Sequence, residues 1–337
     1  MPHECSPQVR TWMIWPAADY MLDGTYAPVE AVWRAWADVA HAIAAFQAVS
    51  ILVEPSQEQV ARRYLSDIIE RHVVPVDDAW MRDSGPTFVR DSTRPGVTPA
   101  VNWQFNAWGG LELAETAADN AIAARVAGFA DAPVLHSSMV NEGGGIHVDG
   151  RGTALVTATV QLDPRRNPGW SRENVEAELE RTIGARRVIW IERGLTRDYG
   201  PLGTRGHVDM MATFSEPGVL LVHDQRDDGH PDRSVSMALH ARLSGERDAS
   251  GVPLTTVSLP APTVLRDAEG WVDYNYANHA VVNGAVIMGE FDDPHDSVAR
   301  GILRDAYPGR QVIGIDARPI FALGGGIHCI TQQQPTA

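Results

Sequence analysis

The chain has 337 residues but only two cysteines, too few for a disulfide framework in a protein of this length. Cys5 lies in a polar segment and Cys329 lies near the end, so we expect no bridge between them. The sequence also lacks a run of about 18 apolar residues that could cross a membrane, and residues 1–10 lack the regions of a signal peptide. These absences predict a soluble, cytoplasmic protein with no membrane partner.

Basic side chains are also scarce: the chain has 28 lysines and arginines but 43 acidic residues, which gives a formal net charge of −15. Nucleic acids and anionic membranes bind basic patches, and the sequence contains no basic run, so we expect no nucleic-acid partner. The same negative field would attract a small cationic substrate.

Familiar cofactor and metal motifs are absent as well. No Gly-x-Gly-x-x-Gly segment follows an early strand, and neither a Walker sequence nor a Gly-x-Ser-x-Gly elbow occurs. His-x-Asp occurs at His147 and His207, but neither has the spacing of a zinc site. We therefore predict neither a cofactor nor a metal.

What the chain does contain is a repeated rhythm of helices and strands. Apolar spacing predicts helices over residues 29–47, 56–71 (from a Ser56–Gln59 capping box), 117–127, 171–183, 231–243 and 294–307. Runs rich in β-branched residues predict strands at 50–54, 73–76, 154–158, 188–192, 219–223, 285–288 and 312–315. We expect one α/β domain over residues 1–337 with about five helix-plus-strand units. Periodicity alone does not distinguish a doubly wound sheet from a closed ring.

The segment Gly-Gly-Gly-Ile-His occurs twice, at residues 143–147 and 324–328, and an internal echo of this kind indicates a repeated architecture. Glu142 precedes the first copy and Cys329 follows the second. Five short motifs, one for each expected unit, favour the ring; they contain Asp83, Glu142, His207, Asn278 and Cys329.

A lone thiol needs a neighbour that activates it, because few thiols are ionised at neutral pH. Strand alternation would put His207 and Asp209 on one face, where they could act on the same ligand. Trp80 and Asp83 could bind a flat cation, although a structural pair between Arg82 and Asp83 would explain that motif too.

Seven segments resemble the agmatine deiminases, in the peptidyl-arginine deiminase-like group of enzymes that modify guanidino groups. The segments run in the same order along the chain: Trp-Met-Ile-Trp-Pro (12–16), Asp-Ala-Trp-Met-Arg-Asp-Ser-Gly-Pro-Thr (78–87), Phe-Asn-Ala-Trp-Gly-Gly (105–110), Glu-Gly-Gly-Gly-Ile-His-Val-Asp (142–149), Gly-His-Val-Asp (206–209), Asp-Asp-Pro-His-Asp (292–296) and Gly-Gly-Gly-Ile-His-Cys-Ile-Thr-Gln-Gln (324–333).

The resemblance implies a five-bladed α/β propeller with pseudo-fivefold symmetry, no metal, and hydrolysis of a guanidino group to a ureido group with release of ammonia. Agmatine would give N-carbamoylputrescine. The resemblance also implies that Cys329 is the nucleophile and that His207 is the general acid and base. Glu142 would be an acidic partner in the site, and Asp83 and Asp209 would be the carboxylates that bind the guanidinium. Trp80 and Trp108 would be pocket walls, and the family suggests a homo-oligomer.

One departure from the family concerns the far end of the substrate. The family usually has Glu-Thr-Asp before Gly-His-Val-Asp, whereas this chain has Gly203, Thr204 and Arg205. Loss of an acidic residue and gain of a cation would disfavour an amine tail. Arg205 would then bind the carboxylate of a guanidino acid such as arginine, or else point to solvent or a neighbouring subunit.

Three other functions compete with deimination. An amidinotransferase would use the same nucleophile and carboxylates but an amine in place of water. A cysteine-dependent amidase or protease would not require two carboxylates around the thiol. A binding or scaffold protein would be expected to lack part of the set formed by Cys329, His207, Glu142, Asp83 and Asp209, and all five residues are present.

Overall fold

Five small sheets, each combined with a crossover helix, make up most of the chain in a computed structural model that describes residues 1–17, 27–110 and 116–337. In each sheet, one antiparallel pair is followed by a parallel neighbour. Parallel neighbours need a crossover connection, and a helix supplies it in every unit.

The first three units have the following elements in chain order. Unit 1 contains β1 (Gln8–Ile14), α1 (Val29–Ala44), β2 (Ala48–Val53), α2 (Glu58–Tyr64) and β3 (Glu70–Val73). Unit 2 contains α3 (Met81–Ser84), β4 (Thr87–Phe88), β5 (Ala100–Gln104), α4 (Ala107–Gly110), α5 (Ile122–Phe129) and β6 (Val134–Val140). Unit 3 contains β7 (Ile146–Val148), β8 (Thr153–Thr157), α6 (Ala158–Gln161), α7 (Arg172–Ile183) and β9 (Arg187–Ile191).

The remaining units complete the chain and return it to its start. Unit 4 contains β10 (Ala212–Glu216), β11 (Val219–Asp224), α8 (Asp232–Leu243) and β12 (Thr255–Pro260), and a hairpin of β13 (Arg266–Asp267) and β14 (Gly270–Trp271) follows. Unit 5 contains β15 (Ala280–Val282), β16 (Ala285–Glu290), α9 (Pro294–Ala306), β17 (Gln311–Asp316) and α10 (Arg318–Phe321). The last strand, β18 (Gln332–Pro335), pairs antiparallel with β1 and so joins the C-terminus to unit 1.

The helices pack their apolar faces against the sheets. In α1, Val32, Trp36, Val39 and Ile43 recur at helical spacing and are fully buried, as the sequence pattern predicts. Each such side chain stabilises the fold by about 1.5–3 kcal/mol. The helices predicted from residues 29, 171, 231 and 294 are confirmed, with ends that differ by a few residues.

The predictions for residues 56–71 and 73–76 are wrong in their boundaries. The second helix ends at Tyr64, because Leu65 adopts an extended conformation with φ −98° and ψ 129°. The strand that follows is Glu70–Val73, earlier than the apolar run suggested.

The predicted capping box at Ser56 is also wrong. The backbone N–H of Ser56 donates to Glu54 Oε2 at 2.6 Å, so Glu54 caps a short 3₁₀ turn that comes before α2. By contrast, Ser171 and Asn174 form a complete capping box at the start of α7. In the part of the chain that the structure describes, no helix combines the length and the apolar character that crossing a membrane requires.

Candidate active site

The five predicted motifs occupy the same place in each unit, the short segment just before the first strand of a sheet. These segments meet, and they carry Asp83 before β4, Glu142 before β7, His207 and Asp209 before β10, Asn278 before β15, and Cys329 before β18. The repeat of the fold therefore brings polar side chains from distant parts of the sequence to one centre.

Cys329 follows the second Gly-Gly-Gly-Ile-His copy and has 5% of its surface exposed. Its Sγ accepts a hydrogen bond from Asn278 Nδ2 at 3.1 Å and lies 3.6 Å from Asp209 Oδ2. The backbone N–H of Arg82 donates to the Cys329 carbonyl oxygen at 3.0 Å. Burial and the charges of Asp209 and Asp83 hold the pKa of Cys329 well above its usual range, so the resting form is the thiol.

His207 lies between two carboxylates. Its Nε2 is 3.1 Å from Glu142 Oε2, and its Nδ1 is 3.7 Å from Asp83 Oδ1. Burial alone would lower the pKa of His207, but the charges of Asp83 and Glu142 outweigh burial and raise it to about 9. The imidazole is therefore protonated at neutral pH.

Glu142 remains ionised although it is completely buried. Arg166 donates from Nε to both carboxylate oxygens, at 2.9 and 3.1 Å, and from a terminal nitrogen to the Thr204 carbonyl oxygen at 2.8 Å. Burial would raise the pKa of Glu142, but Arg166 and His207 lower it to about 2. Glu142 thus holds His207 with a fixed negative charge.

Asp83 and Asp209 are the other two carboxylates of the centre. Asp83 accepts hydrogen bonds from Trp108 Nε1 at 2.9 Å and from the Gly144 N–H at 3.2 Å. Asp209 Oδ2 bonds to His328 Nδ1 at 2.8 Å, whereas its buried Oδ1 has no hydrogen-bond partner among the described residues. Burial raises the pKa of Asp83 to about 6, but for Asp209 the hydrogen bond and charge of His328 outweigh burial and lower the pKa. A ligand with several N–H donors would satisfy the free oxygen.

Gly144 is the residue that lets these groups approach one another. A Cβ at this position would lie 2.6 Å from His207 Nδ1, 3.0 Å from Asp83 Oδ1 and 3.1 Å from Asp209 Oδ2. The middle glycine of the first copy therefore borders the point where three of the predicted site residues converge.

The predicted strand at His207 and Asp209 is wrong, because Val208–Met210 form one 3₁₀ turn. Asp198 accepts hydrogen bonds from the backbone N–H groups of Gly206 and His207, at 2.7 and 3.0 Å. This carboxylate holds the segment in a loop, from which both predicted side chains still reach the centre.

The centre opens through a narrow cleft next to a larger cavity. Side chains that line the cleft include Trp80, Asp83, Trp108 and Cys329. Leu202 and Gly324 line both the cleft and the adjoining cavity, which has a volume of about 500 Å³. The cleft at the thiol and the larger cavity are therefore direct neighbours.

Arg205 is not brought to the cleft. Its Nε lies 3.6 Å from Asp163 Oδ2 and its side chain is 42% exposed. The backbone has a φ of 73°, and the carbonyl oxygen accepts a hydrogen bond from Thr159 Oγ1 at 2.7 Å. The structure thus gives Arg205 an ion pair with Asp163 in place of the predicted contact with a substrate tail.

Within the described residues, Glu4, His147 and His328 have ligand atoms within 4.8 Å of one another, close enough for a metal ion. These atoms are already hydrogen bonded, because His328 Nε2 lies 2.8 Å from Glu4 Oε1 and His147 Nε2 lies 2.7 Å from Thr213 Oγ1. The Arg82 guanidinium is 3.7 Å from Glu4 and would repel a cation. We therefore assign this group a hydrogen-bonding role.

The sequence profile of the Porphyromonas-type peptidyl-arginine deiminase family matches residues 1–335. The chain belongs to this family. A Streptomyces coelicolor protein provisionally named agmatine deiminase is 51% identical to it over 342 residues, which cover 99% of this chain and 98% of that protein. An agmatine deiminase from Stutzerimonas stutzeri is 37% identical over 358 residues, which cover 99% and 95% of the two chains.

Structural similarity to the family is equally extensive. The solved agmatine deiminase of Enterococcus faecalis has a TM-score of 0.90 to this chain at 30% sequence identity, and the match covers 100% of this chain and 95% of the other. The deiminase family therefore shares with this chain the whole fold around the cleft.

Proposed function

We propose that this chain hydrolyses the guanidino group of agmatine, giving N-carbamoylputrescine and ammonia. The observation that carries the proposal is the buried thiol of Cys329 beside the Asp209 carboxylate, in the same centre as a His207 ring that is held by Glu142. Relatives named agmatine deiminase match the chain over its whole length and support the same chemistry.

Guanidinium binding uses the carboxylates of Asp83 and Asp209. Guanidinium presents planar N–H donors and stays protonated at ordinary pH. Asp209 offers an unpartnered Oδ1, and Asp83 faces it across Gly144. Charge-assisted bonds to both would orient the guanidinium plane above Cys329 and localise its charge.

Substrate charge also activates the nucleophile. In the substrate-free protein the pKa of Cys329 is raised by burial and by the negative charges around it. A guanidinium next to Sγ neutralises those charges, so binding lowers the pKa and the thiol releases its proton to solvent. Cys329 thus becomes a thiolate when a cation is in place to react.

In the first half-reaction, Sγ forms a bond to the guanidinium carbon and gives a tetrahedral adduct. Protonated His207 donates its proton to one NH₂ group, and the C–N bond breaks to release ammonia. The product is a positively charged S-alkylthiouronium on Cys329 with a neutral His207, and the ionised Glu142 orients the ring throughout.

In the second half-reaction, His207 accepts a proton from water as the water oxygen bonds to the same carbon. The adduct collapses, the C–S bond breaks with its electron pair on sulfur, and the hydroxyl proton passes to solvent, where it converts the released ammonia to ammonium. His207 is again protonated and Cys329 is again a thiolate, so the cycle closes.

The cavity beyond the cleft favours a cationic tail over a carboxylate tail. Asp198, Glu269 and Asp273 line it, and the one basic residue among its described lining residues, Arg197, donates to Asp267 Oδ2 at 2.6 Å. Asp273 is buried, with an Oδ1 that has no hydrogen-bond partner in the part of the chain that the structure describes. Burial raises its pKa to about 7, and an ammonium group would favour the ionised form.

Ammonia and ureido product would be measured with agmatine, with arginine and with a guanidine that has no charged tail. We expect hydrolysis of agmatine that is lost by roughly 10⁴-fold or more in Cys329→Ala and retained in Cys5→Ala, the other cysteine of the chain. Amidine transfer to an added amine without ammonia release would favour the amidinotransferase, and a preference for arginine would contradict the cationic tail.

Asp273→Asn separates tail recognition from guanidinium chemistry. Because a lost charge-assisted bond costs about 1.5–3 kcal/mol, we expect KM for agmatine to rise about 10-fold or more with little change in kcat. Kinetics with the tail-free guanidine are the control, and an equal loss for both substrates would contradict a role at the tail.

The proposed overall arrangement is the five-bladed propeller that the resemblance implies. It is supported by five units of the same strand order and by the pairing of β18 with β1. A crystal structure tests it, because the five units would be related by successive rotations about one axis through the cleft. The homo-oligomer stays a prediction, which light scattering of the purified protein would check.

A further inference from the structure

A buried polar group lies beneath the two Gly-Gly-Gly-Ile-His copies and has no place in the mechanism above. Both histidines face the carboxylate of Glu4, which comes from the segment before β1; Oε1 is 2.8 Å from His328 Nε2 and 3.9 Å from His147 Nε2. All three residues are less than 9% exposed. Glu4 is more than 300 residues from His328 in sequence, so the fold itself brings them together.

Hydrogen-bond chemistry fixes the protonation of His328. Its Nδ1 lies 2.8 Å from Asp209 Oδ2, and its Nε2 lies 2.8 Å from Glu4 Oε1. Ionised carboxylates only accept hydrogen bonds, so both ring nitrogens must donate and the ring must be an imidazolium. Burial and Arg82 would lower the pKa of His328, but the two carboxylates outweigh them and raise it.

The other charged and titratable groups around this pair agree with that assignment. Those that face His328 or Asp209 are Glu4, Arg82, His147, His207, Asp83 and Cys329. Burial would raise the pKa of Glu4, but His328 and Arg82 hold it well below its usual range. The result is an alternating series of charges from Asp209 through His328 and Glu4 to Arg82.

His328 also controls which oxygen of Asp209 is free. Its bond occupies Oδ2, and Oδ1 remains buried with no partner in residues 1–17, 27–110 and 116–337. His328 is next to Cys329 in sequence, and Arg82 Nε donates to the His328 carbonyl oxygen at 3.2 Å. One residue therefore links the position of the thiol to the orientation of the carboxylate.

We propose that Glu4 and His328 are positioning residues for the reaction: Glu4 holds His328 as an imidazolium, and His328 keeps Asp209 ionised with Oδ1 directed at the guanidinium. This proposal rests on the proposed function, because it takes the ligand of Asp209 to be the guanidinium of the proposed substrate. Neither residue touches the substrate.

Glu4→Gln is the first test, because glutamine can accept the same hydrogen bond from His328 without carrying a charge. His328 then loses its proton at neutral pH, and Asp209 loses the cation that keeps it ionised. We expect KM for agmatine at pH 8 to rise about 10-fold, within the range known for residues that orient a ligand through another residue. The acid limb of kcat/KM should move to higher pH and become steeper, because Asp209 then titrates together with Asp83.

Two further variants separate this role from a structural one. Glu4→Asp keeps the negative charge and should restore the wild-type slope of the acid limb. His147→Gln removes an equally buried histidine near Glu4 that makes no contact with Asp209, so it should leave the acid limb unchanged even if the protein unfolds more easily. An acid limb in Glu4→Gln that is the same as in the wild type would overturn the proposal.

A measurement without substrate keeps the proposal distinct from the proposed function. Ring ¹⁵N chemical shifts of the twelve histidines, with His328 assigned by its absence in His328→Gln, should report an imidazolium at pH 7.5 in the wild type and a neutral ring in Glu4→Gln. A neutral His328 in the wild type would overturn the positioning role, whereas failure to hydrolyse any guanidine would refute only the proposed function.

Discussion

The two Gly-Gly-Gly-Ile-His copies are identical in sequence, yet the histidine of one copy is neutral and the histidine of the other is charged. His147 accepts a hydrogen bond from the Phe214 N–H at Nδ1, and burial is the main cause that lowers its pKa to about 3, so it is neutral. His328 donates to Glu4 and Asp209 from both nitrogens and is charged. Neighbours from other units, and not the local sequence, decide the chemistry of each copy.

The glycines of the two copies also serve different contacts. In the first copy, Gly144 borders the point where His207 and the carboxylates converge. In the second copy, a Cβ at Gly325 would lie 2.6 Å from Trp80, and one at Gly326 would lie 2.4 Å from Asn278 Oδ1. The first copy lets the side chains of the centre approach one another, whereas the second packs the loop that presents the nucleophile.

The largest expected effect comes from adding a methyl group at Gly144. In Gly144→Ala, the added methyl would lie within 3.1 Å of His207, Asp83 and Asp209, so these groups must move apart. We expect kcat/KM for agmatine to fall about 10³-fold, as small displacements of reacting groups have large costs. Steady-state kinetics would measure this loss.

Gly145→Ala is the matched control in the same copy. Its methyl would meet Gln161 and Val160 at 3.2 Å, outside the reacting centre, and we expect a loss below about 10-fold. Equal losses in the two variants would mean that the first copy acts only as a turn.

A smaller effect tests how the second copy supports the thiol. Asn278 donates to Cys329 Sγ at 3.1 Å and accepts from the His328 N–H at 2.9 Å. Asn278→Ala removes a donor that favours the thiolate, so the pKa of Cys329 should rise further. We expect kcat/KM to fall about 10²-fold, since a bond to a charged group contributes about 1.5–3 kcal/mol, and alkylation of Cys329 by iodoacetamide to slow.

Gln161→Ala is the corresponding change beneath the first copy, where Gln161 donates to the Gly145 carbonyl oxygen at 3.1 Å. It should lower thermal stability without slowing alkylation of Cys329. Mass spectrometry of the two cysteine peptides separates Cys329 from Cys5, whose pKa is raised to about 11 by burial. Slower alkylation in both variants would show that loop support, and not the Asn278 donor, controls the thiol.

Local sequence predicted the long helices of units 3 to 5 and one or two strands in each of these units, because apolar spacing coincides there with helix-start signals, as at Ser171 and Pro294. It did not predict β7, β10, β12 or β15. It failed at residues 56–71, where the extended Leu65 ends a helix whose apolar pattern continues. It also failed at His207, where Asp198, which comes earlier in the chain, imposes a loop on a segment with strand-like alternation.

The site was predictable as far as its residues lie in motifs. The motifs contain all five predicted site residues, and the structure brings these residues together: Cys329, His207, Glu142, Asp83 and Asp209. The sequence did not single out three residues that hold these groups in place, because a buried partner such as Arg166 has no neighbouring signal and acts only through tertiary contact; the three are Arg166, Asp198 and Glu4. His328 lay in the repeated segment, but the sequence predicted no role for it. Asn278 lay in a motif, but its bond to the thiol was not foreseen.

The smallest expected effect is on the free energy of unfolding. The two histidines should change its pH dependence in opposite directions. The folded-state pKa of His147 is below the unfolded value of about 6.5, so the unfolded chain binds the proton first and stability falls as pH falls below about 6.5. At pH 5 this loss is about 2 kcal/mol. The folded-state pKa of His328 is raised, so its contribution is present below about pH 6.5 and is lost as pH rises through the folded value.

Urea unfolding of His147→Gln and His328→Gln between pH 5 and pH 9 would measure this contrast. Relative to the wild type, His147→Gln should gain about 2 kcal/mol in unfolding free energy when the pH is lowered from 7 to 5, because the proton that it would bind on unfolding is absent. His328→Gln should be most destabilised at low pH, and its deficit should shrink as the pH rises. The same pH dependence in both variants would contradict the assignment of one neutral and one charged histidine to two identical segments.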